Sequence, residues 1–296
     1  MTAKSRAEGA LLATTLVWGG TFAVVKIGMM DISPIYLIFV RFIIASALYL
    51  VIFRGTLFPI SWQSTRRAFV LTIFLAAGFI TQNIGLTITT ASKSAFITST
   101  MVIFVPILQV LIERKTPRLG NILGVIVVST GLWFLTSPSG ASFNVGDALT
   151  LVCAFSFALY IVYLDIVSQT MGAGQLTFLQ SAAMMVYSGI AVALFETPQF
   201  AFTASSVFSM AYLTLLGTVV TMYVQTRFQK DTTPTRAVII FSIEPVFASI
   251  VAYFALGEQL GSLGILGGAL ILCGVLVSEL SDSIPFLKKA PGLTES

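Results

Sequence analysis

An acidic side chain, Glu244, lies within an apolar segment and directly before Pro245. Ionisable groups at membrane depth cost about 2.5–3.5 kcal/mol on insertion scales and usually mark a functional site. Proline has no N–H to donate within a helix, so a bend is predicted at this point. A carboxyl group at a bend can hold a proton, pair with a cation or accept a hydrogen bond. Structural hydrogen bonding and the binding of substrate or protons both remain open for Glu244.

Three basic side chains, Lys26, Arg41 and Lys93, also fall within or at the ends of apolar segments. Lys26 and Lys93 are close to segment ends, where a long side chain can extend its ammonium group to the lipid headgroups. Arg41 lies well inside its segment. It can clamp backbone carbonyls or contact a substrate or counter-ion, and the sequence does not decide between these roles.

Polar and aromatic side chains recur at helical spacing in several apolar segments. One stripe consists of Thr214, Thr218, Thr221 and Gln225. Other such faces are Trp18 with Phe22 and Lys26, Phe79 with Gln82, Asn83 and Leu86, Ser94 with Thr98, and Ser156 with Tyr160 and Tyr163. Polar stripes are costly against lipid and are predicted to face protein or water. Interhelical hydrogen bonding explains them, and so does a site for a small amphipathic solute.

The composition excludes a water-soluble domain. Hydrophobic residues make up 56% and charged residues 9%, with a mean hydropathy of +0.96, whereas soluble domains carry roughly 25% charged residues. The net charge of +4 is not concentrated in a patch, so nucleic acid is not expected as a partner. The sequence has no histidine, and Cys153 and Cys273 fall in apolar runs. Neither a disulfide, a metal site nor a cofactor is predicted.

Ten segments are apolar over the length of about 20 residues that a membrane-spanning helix needs. Their approximate bounds are 8–30, 35–53, 67–88, 94–112, 119–136, 147–164, 174–195, 208–227, 236–256 and 262–280. The predicted fold class is therefore an all-α polytopic membrane protein with ten transmembrane helices. Two prolines inside these segments, Pro106 and Pro245, are predicted to be hinges.

The distribution of lysine and arginine predicts the orientation of these helices. With the N-terminus in the cytoplasm, most basic residues of the loops fall on the cytoplasmic side, including Arg66 and Arg118. The opposite loops carry acidic residues such as Glu196 and Glu258. This bias follows the positive-inside rule. It predicts a multi-pass membrane protein with both termini, and the tail 281–296, in the cytoplasm.

Two stretches half a chain apart repeat one another. Residues 119–124 read LGNILG, and residues 263–267 read LGILG. The chain is therefore predicted to consist of two five-helix units, 8–136 and 147–280. Because five is odd, the second unit enters the membrane from the opposite side and the units are inverted. Inverted repeats place a solute site at their interface and support alternating access.

Glycines at four-residue spacing mark the fifth and tenth segments. Gly120 with Gly124, and Gly264 with Gly268, allow close helix contact. We predict that these two helices pack against each other away from the solute pathway. Dimerisation through the same glycines is the alternative, so the protein is expected to be a monomer or a weak dimer.

Several short motifs together resemble the EamA-type members of the drug/metabolite transporter superfamily. They are Trp18-Gly19, Phe22, Lys26, Pro34, Arg41-Phe42, Glu244-Pro245, Gly257-Glu258 and the glycine run of the last segment. Their order and spacing agree over about residues 8–280. The stretch 96–106 looks like the bacterial amino-acid exporter branch, which includes exporters of aromatic amino acids. In the first half Glu113-Arg114 replaces the Gly-Glu pair, so the symmetry of the halves is approximate there.

The resemblance implies a central cavity from which small metabolites are exported, with the fifth and tenth helices behind it. By position it assigns candidate substrate-binding residues on six helices and no catalytic residue. The candidates are Trp18, Phe22, Gln82, Asn83, Ser94, Thr98, Phe157, Tyr163, Tyr223 and Glu244.

These features favour a secondary transporter that exports amino acids with aromatic or other hydrophobic side chains by alternating access. The sequence has no G-x4-G-K-[ST] loop, so ATP hydrolysis is not expected. A channel or facilitator for small solutes is the first alternative. A membrane enzyme acting on lipid is the second, although no catalytic constellation supports it. The expected partners are the small-molecule substrate and membrane lipid, and coupling to protons remains open.

Overall fold

The computed structural model describes residues 3–136, 143–258 and 262–280. Within these ranges the chain is helical apart from its turns and loops, which confirms the all-α prediction. One isolated antiparallel bridge joins Ile32 to Phe200. The tail 281–296, which we predict to be cytoplasmic, lies outside the described residues.

The helices follow one another along the chain with short connections. They are α1 (Ala3–Gly28), α2 (Pro34–Phe53), α3 (Trp62–Leu86), α4 (Ala91–Ser99), α5 (Met101–Glu113), α6 (Leu119–Thr136), α7 (Val145–Ser168), α8 (Ala173–Phe195), α9 (Ala204–Ala211), α10 (Thr221–Phe228), α11 (Pro234–Phe241), α12 (Glu244–Leu256) and α13 (Ser262–Leu280). A π-helical segment, Tyr212–Val220, joins α9 to α10, and a 3-10 turn, Gln229–Asp231, follows α10.

Eight helical spans in the described part of the chain are long and apolar enough to cross a membrane. Five of them are single helices, namely α1, α2, α3, α7 and α8. The other three are the compound spans Ala91–Glu113, Ala204–Asp231 and Pro234–Leu256. Two shorter apolar helices, Leu119–Phe134 and Ser262–Ser278, accompany them. A polytopic membrane protein is confirmed, whereas ten crossings and the inversion of two halves remain predictions.

The span Ala91–Glu113 is interrupted at Thr100, where α4 ends and α5 begins. The Thr100 hydroxyl donates to the carbonyl of Ile97 at 2.6 Å, so a side chain competes for an acceptor that the helix would otherwise use. The prediction put the hinge of this span at Pro106. In the structure Pro106 lies inside α5, and the break lies at Thr100, nearer the middle of the span.

The span Pro234–Leu256 is interrupted between α11 and α12, directly before Glu244. Pro245 cannot donate to the carbonyl of Phe241, because proline has no N–H. It stands instead in the first turn of α12. The N–H groups of a first turn have no acceptor within the helix, so proline, which lacks an N–H, is well tolerated there. This break coincides with the bend that the sequence predicts.

The π-helical segment Tyr212–Val220 is held by side chains of α2. A π-helix pairs each N–H with the carbonyl five residues back and is frequent at functional sites. Arg41 donates to the carbonyl of Gly217 at 2.7 Å, and Tyr49 donates to that of Val219 at 2.8 Å. The Thr218 hydroxyl repeats the five-residue step by donating to the carbonyl of Leu213 at 2.9 Å. The widened turn is therefore stabilised by specific polar contacts.

The helices α6 and α13 pack closely through glycines. A Cβ atom at Gly131 would lie 2.7 Å from the carbonyl oxygen of Gly267, and one at Gly274 would lie 3.0 Å from that of Gly124. Side chains at these positions would force the helices apart, as expected for small residues at a helix interface. The predicted contact through Gly268 is wrong, because the nearest neighbour of a Cβ there is Val246 of α12, at 3.7 Å.

Two acidic side chains cap the first turns of distant helices. Glu196, after α8, accepts from the N–H of Tyr36 at the start of α2 at 2.7 Å. Glu258, after α12, accepts from the N–H groups of Ala91 and Ser92 at the start of α4, each at 3.0 Å. Carboxylates are favourable at helix N-termini, where unpaired N–H groups and the helix dipole attract negative charge. These contacts fasten α8 to α2 and α12 to α4.

Candidate solute-binding cavity

A cavity with an empty volume of about 590 Å³ lies among the helices. Its walls come from α1, α2, α3, α7, α10 and the two interrupted spans. The lining residues are Trp18, Thr21, Phe22, Arg41, Leu75, Phe79, Gln82, Thr98, Met101, Phe157, Tyr160, Ile161, Gln225, Phe241 and Glu244. The mostly apolar wall with a few polar groups is typical of small-molecule sites.

Part of the candidate set from the sequence comes together in this cavity. Those that line it are Trp18, Phe22, Gln82, Thr98, Phe157 and Glu244. They belong to helices that are separate in sequence, so only the tertiary fold brings them together. The cavity therefore provides one location for most of the side chains that the sequence singles out.

Four candidates do not line this cavity. Asn83 donates to the carbonyl of Pro34 at 3.0 Å, because neighbouring residues of a helix are about 100° apart and only one amide can point inward with Gln82. Tyr163 packs edge-on against Phe74, with ring centroids 6.2 Å apart, and Tyr223 stacks on Phe53 at 5.1 Å. Ser94 is buried, and its hydroxyl has no hydrogen-bond partner in the described ranges.

Several lining residues are absent from the candidate set, and helical spacing could have found some of them. Phe79 is three residues before Gln82, and Tyr160 and Ile161 are three and four residues after Phe157. Residues three or four apart on one helix share a face. Gln225 belongs to the polar stripe that the sequence shows. Met101 and Phe241 lie across a helix break from Thr98 and Glu244, so helical spacing does not predict them.

Glu244 is the acidic group of the cavity wall. Its residue is 7% exposed, and no described residue forms a hydrogen bond or an ion pair with its carboxyl group. The backbone around it packs tightly on α1, since a Cβ at Gly19 would lie 3.1 Å from the Glu244 carbonyl oxygen and 2.6 Å from the Cβ of Phe247. Gly19 therefore allows α12 to approach α1 and fixes the depth of the carboxyl group. The carboxyl group itself is left to face the cavity.

Arg41 acts in this structure as a clamp on backbone and hydroxyl acceptors. It is 2% exposed and donates through Nη2 to the Gly217 carbonyl at 2.7 Å and through Nε to the Thr218 hydroxyl. Its guanidinium lies 5.0 Å from the ring centroid of Phe79, within cation–π range. The clamp on backbone carbonyls, one of the two roles that the sequence leaves open for Arg41, is thus observed. The same side chain also lines the cavity.

Aromatic rings and amides give the rest of the wall a fixed shape. Trp18 and Phe241 meet edge-on with centroids 5.3 Å apart, and Phe79 meets Phe157 at 5.6 Å. Such pairs contribute about 0.5–1.5 kcal/mol beyond their area burial. The amide of Gln82 donates to Thr98 at 3.1 Å and bridges α3 to α4. The wall can enclose an apolar group while offering polar contacts at its edges.

The two lysines near segment ends bind protein groups in this structure, and their extension to lipid headgroups stays a prediction. Lys26 donates to the carbonyl of Thr89 at 2.7 Å, and Lys93 pairs with Asp147 at 2.5 Å. Asp147 is fully buried and also accepts from the Thr89 hydroxyl at 2.7 Å. An ion pair shielded in this way binds α4 to α7. Within the described ranges no group of three or more His, Cys, Asp or Glu side chains could hold a metal ion.

Comparison with known proteins places this architecture in a family. A model described as "EamA-like transporter family" matches residues 6–137 and again residues 144–280. An uncharacterized transporter of Archaeoglobus fulgidus is 32% identical and aligns over 93% of this chain and 86% of its own length. The uncharacterized inner membrane transporter YedA of Escherichia coli is 25% identical, over 91% of this chain and 90% of its own. A solved crystal structure covers 94% of this chain with a TM-score of 0.77 at 15% identity, which shows a shared fold.

A bundle of apolar spans around a partly polar cavity, together with these relatives, identifies a polytopic membrane transporter. The chain belongs to the EamA-like transporter family.

Proposed function

We propose that this transporter is a secondary carrier that exports amino acids with aromatic or other hydrophobic side chains across a bacterial inner membrane. The cavity carries the proposal, because one wall combines the carboxyl group of Glu244, the guanidinium of Arg41 and several aromatic rings. An amino acid is a zwitterion with a variable side chain. Its ammonium group would interact with Glu244, and its side chain would lie among Trp18, Phe79 and neighbouring rings. Cation–π and aromatic contacts favour such a solute.

We further propose alternating access between two inverted halves, 8–136 and 147–280. The double match of the family model, to residues 6–137 and 144–280, supports two related units. Inverted repeats can exchange conformations and so open a central site to either side in turn. The positive-inside bias supports cytoplasmic termini, and the name of the E. coli relative supports an inner-membrane location.

Glu244 is the proposed site of coupling if export is driven by protons. A carboxyl group without a protein partner can take a proton on one side of the membrane and release it on the other. Exchange and facilitated diffusion are the other coupling modes. A monomer suffices for all of them, because one chain encloses the cavity.

Counterflow in proteoliposomes tests the proposal. Liposomes containing the purified protein and loaded with unlabelled phenylalanine, leucine, glutamate, a nucleoside or a cationic drug are diluted into a trace of the same labelled solute. We expect saturable accumulation for phenylalanine and leucine and little for glutamate. Flux that does not saturate would indicate a channel or facilitator, and saturable counterflow of other solutes alone would refute the amino-acid assignment.

A further inference from the structure

Two buried glutamines link the wall of the central cavity to the main chain of α7. Gln225 lines the cavity from α10, and Gln229, at the start of the 3-10 turn, is not part of the lining. Gln225 is 3% exposed, and Gln229 is fully buried. The Gln225 amide nitrogen donates to Gln229 Oε1 at 3.0 Å, and the Gln229 amide nitrogen donates to the carbonyl of Ile161 at 2.8 Å. The hydrogen bonds therefore run in one direction, from the cavity wall to α7.

The direction of these hydrogen bonds fixes how the Gln225 amide is turned. A main-chain carbonyl only accepts hydrogen bonds, so the Gln229 amide must direct its NH2 group to Ile161. Its oxygen then faces Gln225, which has to donate through its own NH2 group. The carbonyl oxygen of Gln225 is left over, and no described residue donates to it. Since Gln225 lines the cavity, this oxygen is an acceptor that a solute can use.

Other polar side chains of the wall also direct their donors to protein groups. Trp18 donates through Nε1 to the Thr221 hydroxyl at 3.0 Å, and the Tyr160 hydroxyl donates to Gln180 at 2.8 Å. The amide nitrogen of Gln82 is engaged by its bond to α4, and no described residue donates to its carbonyl oxygen. The polar atoms that these neutral side chains leave to a solute are therefore acceptors.

Acceptors from three helices suit an ammonium group. They are the carboxyl oxygens of Glu244 and the amide oxygens of Gln82 and Gln225. A primary ammonium group carries three N–H donors and no acceptor, so it can use several of these oxygens at once. A carboxylate of the solute is suited instead to Arg41, which has N–H groups beyond the two that bind the π-helical segment.

We propose that Gln225 binds the ammonium group of the transported solute together with Glu244, and that Gln229 is the positioning residue that turns the Gln225 carbonyl oxygen towards the cavity. This inference rests on the proposed function, in which the solute is an amino acid, and it identifies the polar group by which the solute is recognised. Without Gln229 the Gln225 amide loses its fixed partner and can rotate. Its NH2 group would then face the ammonium group, which has no acceptor to offer, so binding weakens although Gln229 does not contact the solute.

Saturation kinetics of labelled phenylalanine counterflow in proteoliposomes test the two roles. The variants are Gln225→Met, Gln229→Met and the double variant, because methionine is similar in length to glutamine and has no amide. Gln109→Met is the matched control, since Gln109 is also a buried glutamine, accepts from Thr235 and does not line the central cavity. Half-saturation concentration, maximal rate and unfolding temperature are measured for each protein.

We expect Gln225→Met to raise the half-saturation concentration about tenfold and Gln229→Met about threefold, with maximal rates changed by less than about twofold. The double variant should match Gln225→Met alone, because a positioning residue has no effect once the residue that it positions is gone. A purely structural role of Gln229 would lower the maximal rate or the unfolding temperature instead. Additive effects in the double variant would overturn the positioning role, and an equal effect of Gln109→Met would overturn the binding role.

Two analogues of phenylalanine test the ammonium group on the unaltered protein. Phenethylamine has the ammonium group and no carboxylate, whereas phenylpropionate has the carboxylate and no ammonium group. We expect the amine to compete with labelled phenylalanine and to show counterflow itself, and the acid to compete about tenfold more weakly. Equal or stronger competition by the acid would overturn the ammonium assignment.

The inference and the proposed function fail in different experiments. Phenylalanine counterflow that is unaffected by Gln225→Met and Gln229→Met would overturn the inference and leave the proposed function standing. Counterflow of phenethylamine without phenylalanine would overturn the amino-acid assignment, and the variants are then compared with the labelled amine. Counterflow of neither solute would overturn both. If a methionine variant does not fold, Gln225→Leu or Gln229→Leu replaces it, and competition by the two analogues decides the ammonium assignment.

Discussion

The two interrupted spans present different chemistry to the central cavity. In Ala91–Glu113 the cavity-lining Thr98 already accepts a hydrogen bond from Gln82 at 3.1 Å. In Pro234–Leu256 the cavity-lining Glu244 has no partner among the described residues. At the cavity wall, the polar group of the first span is hydrogen-bonded within the protein, whereas the second span has a carboxyl group that is available to a solute or a proton.

The difference shows that a shared bend does not require a shared function. In the first span the break lies at Thr100, and the proline stands further along, inside α5. In the second the proline stands at the break and directly follows the acid. A break beside an acid fixes where that acid lies, so the second span is suited to binding, and the first to shaping the wall.

The largest expected effect comes from Glu244→Gln. The amide keeps the size of the side chain but removes its charge and its capacity to hold a proton. Charged hydrogen bonds contribute roughly 1.5–3 kcal/mol, so transport should fall about tenfold or more, with normal expression and unfolding temperature. Initial rates of counterflow measure this. Glu113→Gln, which changes the acid at the end of the other span, is the control and should have little effect on the rate.

Replacing each proline by alanine compares the two breaks directly. Pro245→Ala restores an N–H that can pair with the carbonyl of Phe241 and extend α11 into α12, so we expect severalfold slower transport. Pro106→Ala acts inside α5 and should change the rate by less than about twofold, because this proline does not stand at the break, which lies at Thr100. Equal effects of the two substitutions would contradict the distinction drawn here between the breaks.

A smaller effect is expected for Thr98→Val, which keeps the shape of the side chain and removes the acceptor for Gln82. A net hydrogen bond contributes about 0.5–1.5 kcal/mol, so the apparent affinity for substrate should weaken by about two- to tenfold with little change in maximal rate. Concentration series in proteoliposomes separate the two quantities. Ser94→Ala, one turn away and outside the cavity lining, is the matched control. A fall in maximal rate alone would assign Thr98 to the conformational step.

The smallest effects concern the residues that end the two spans in the left-handed conformation. Arg114 follows α5 with a φ of 56°, and Gly257 follows α12 with a φ of 69°. A side chain in this conformation costs roughly 1–2 kcal/mol. Gly257→Ala should therefore lower the free energy of unfolding by about 1 kcal/mol. The backbone conformation accounts for this cost, since a Cβ there would meet open space and no clash. Arg114→Gly should raise it by a similar or smaller amount. Thermal unfolding in detergent measures the change in stability of both variants. A stabilising Gly257→Ala would contradict the left-handed conformation of this residue.

The sequence predicts most of what depends on local pattern. Hydropathy locates the helices, and the Glu244-Pro245 pair locates a break beside a side chain that lines the central cavity. The sequence does not predict the partners of Lys26 and Lys93, because Thr89 and Asp147 lie on distant segments that only the fold brings close. The sequence also does not predict which amide of α3 faces the cavity. Gln82 does, whereas Asn83 binds the carbonyl of Pro34, because adjacent residues of a helix cannot share a face. The π-helical turn has no sequence signature, because α2 holds it through contacts distant in sequence.

The capping acids Glu196 and Glu258 hold helices together at one end of the bundle. Glu196 joins the end of α8 to the start of α2, and Glu258 joins the end of α12 to the start of α4. If these helices separate, the first N–H groups of α2 and α4 lose their carboxylate acceptors. Exposed N–H groups must then be hydrated before the gap can widen. If the proposed alternating access opens this side, entry of water must accompany the opening, and cosolvents that withdraw water should lengthen the closed state.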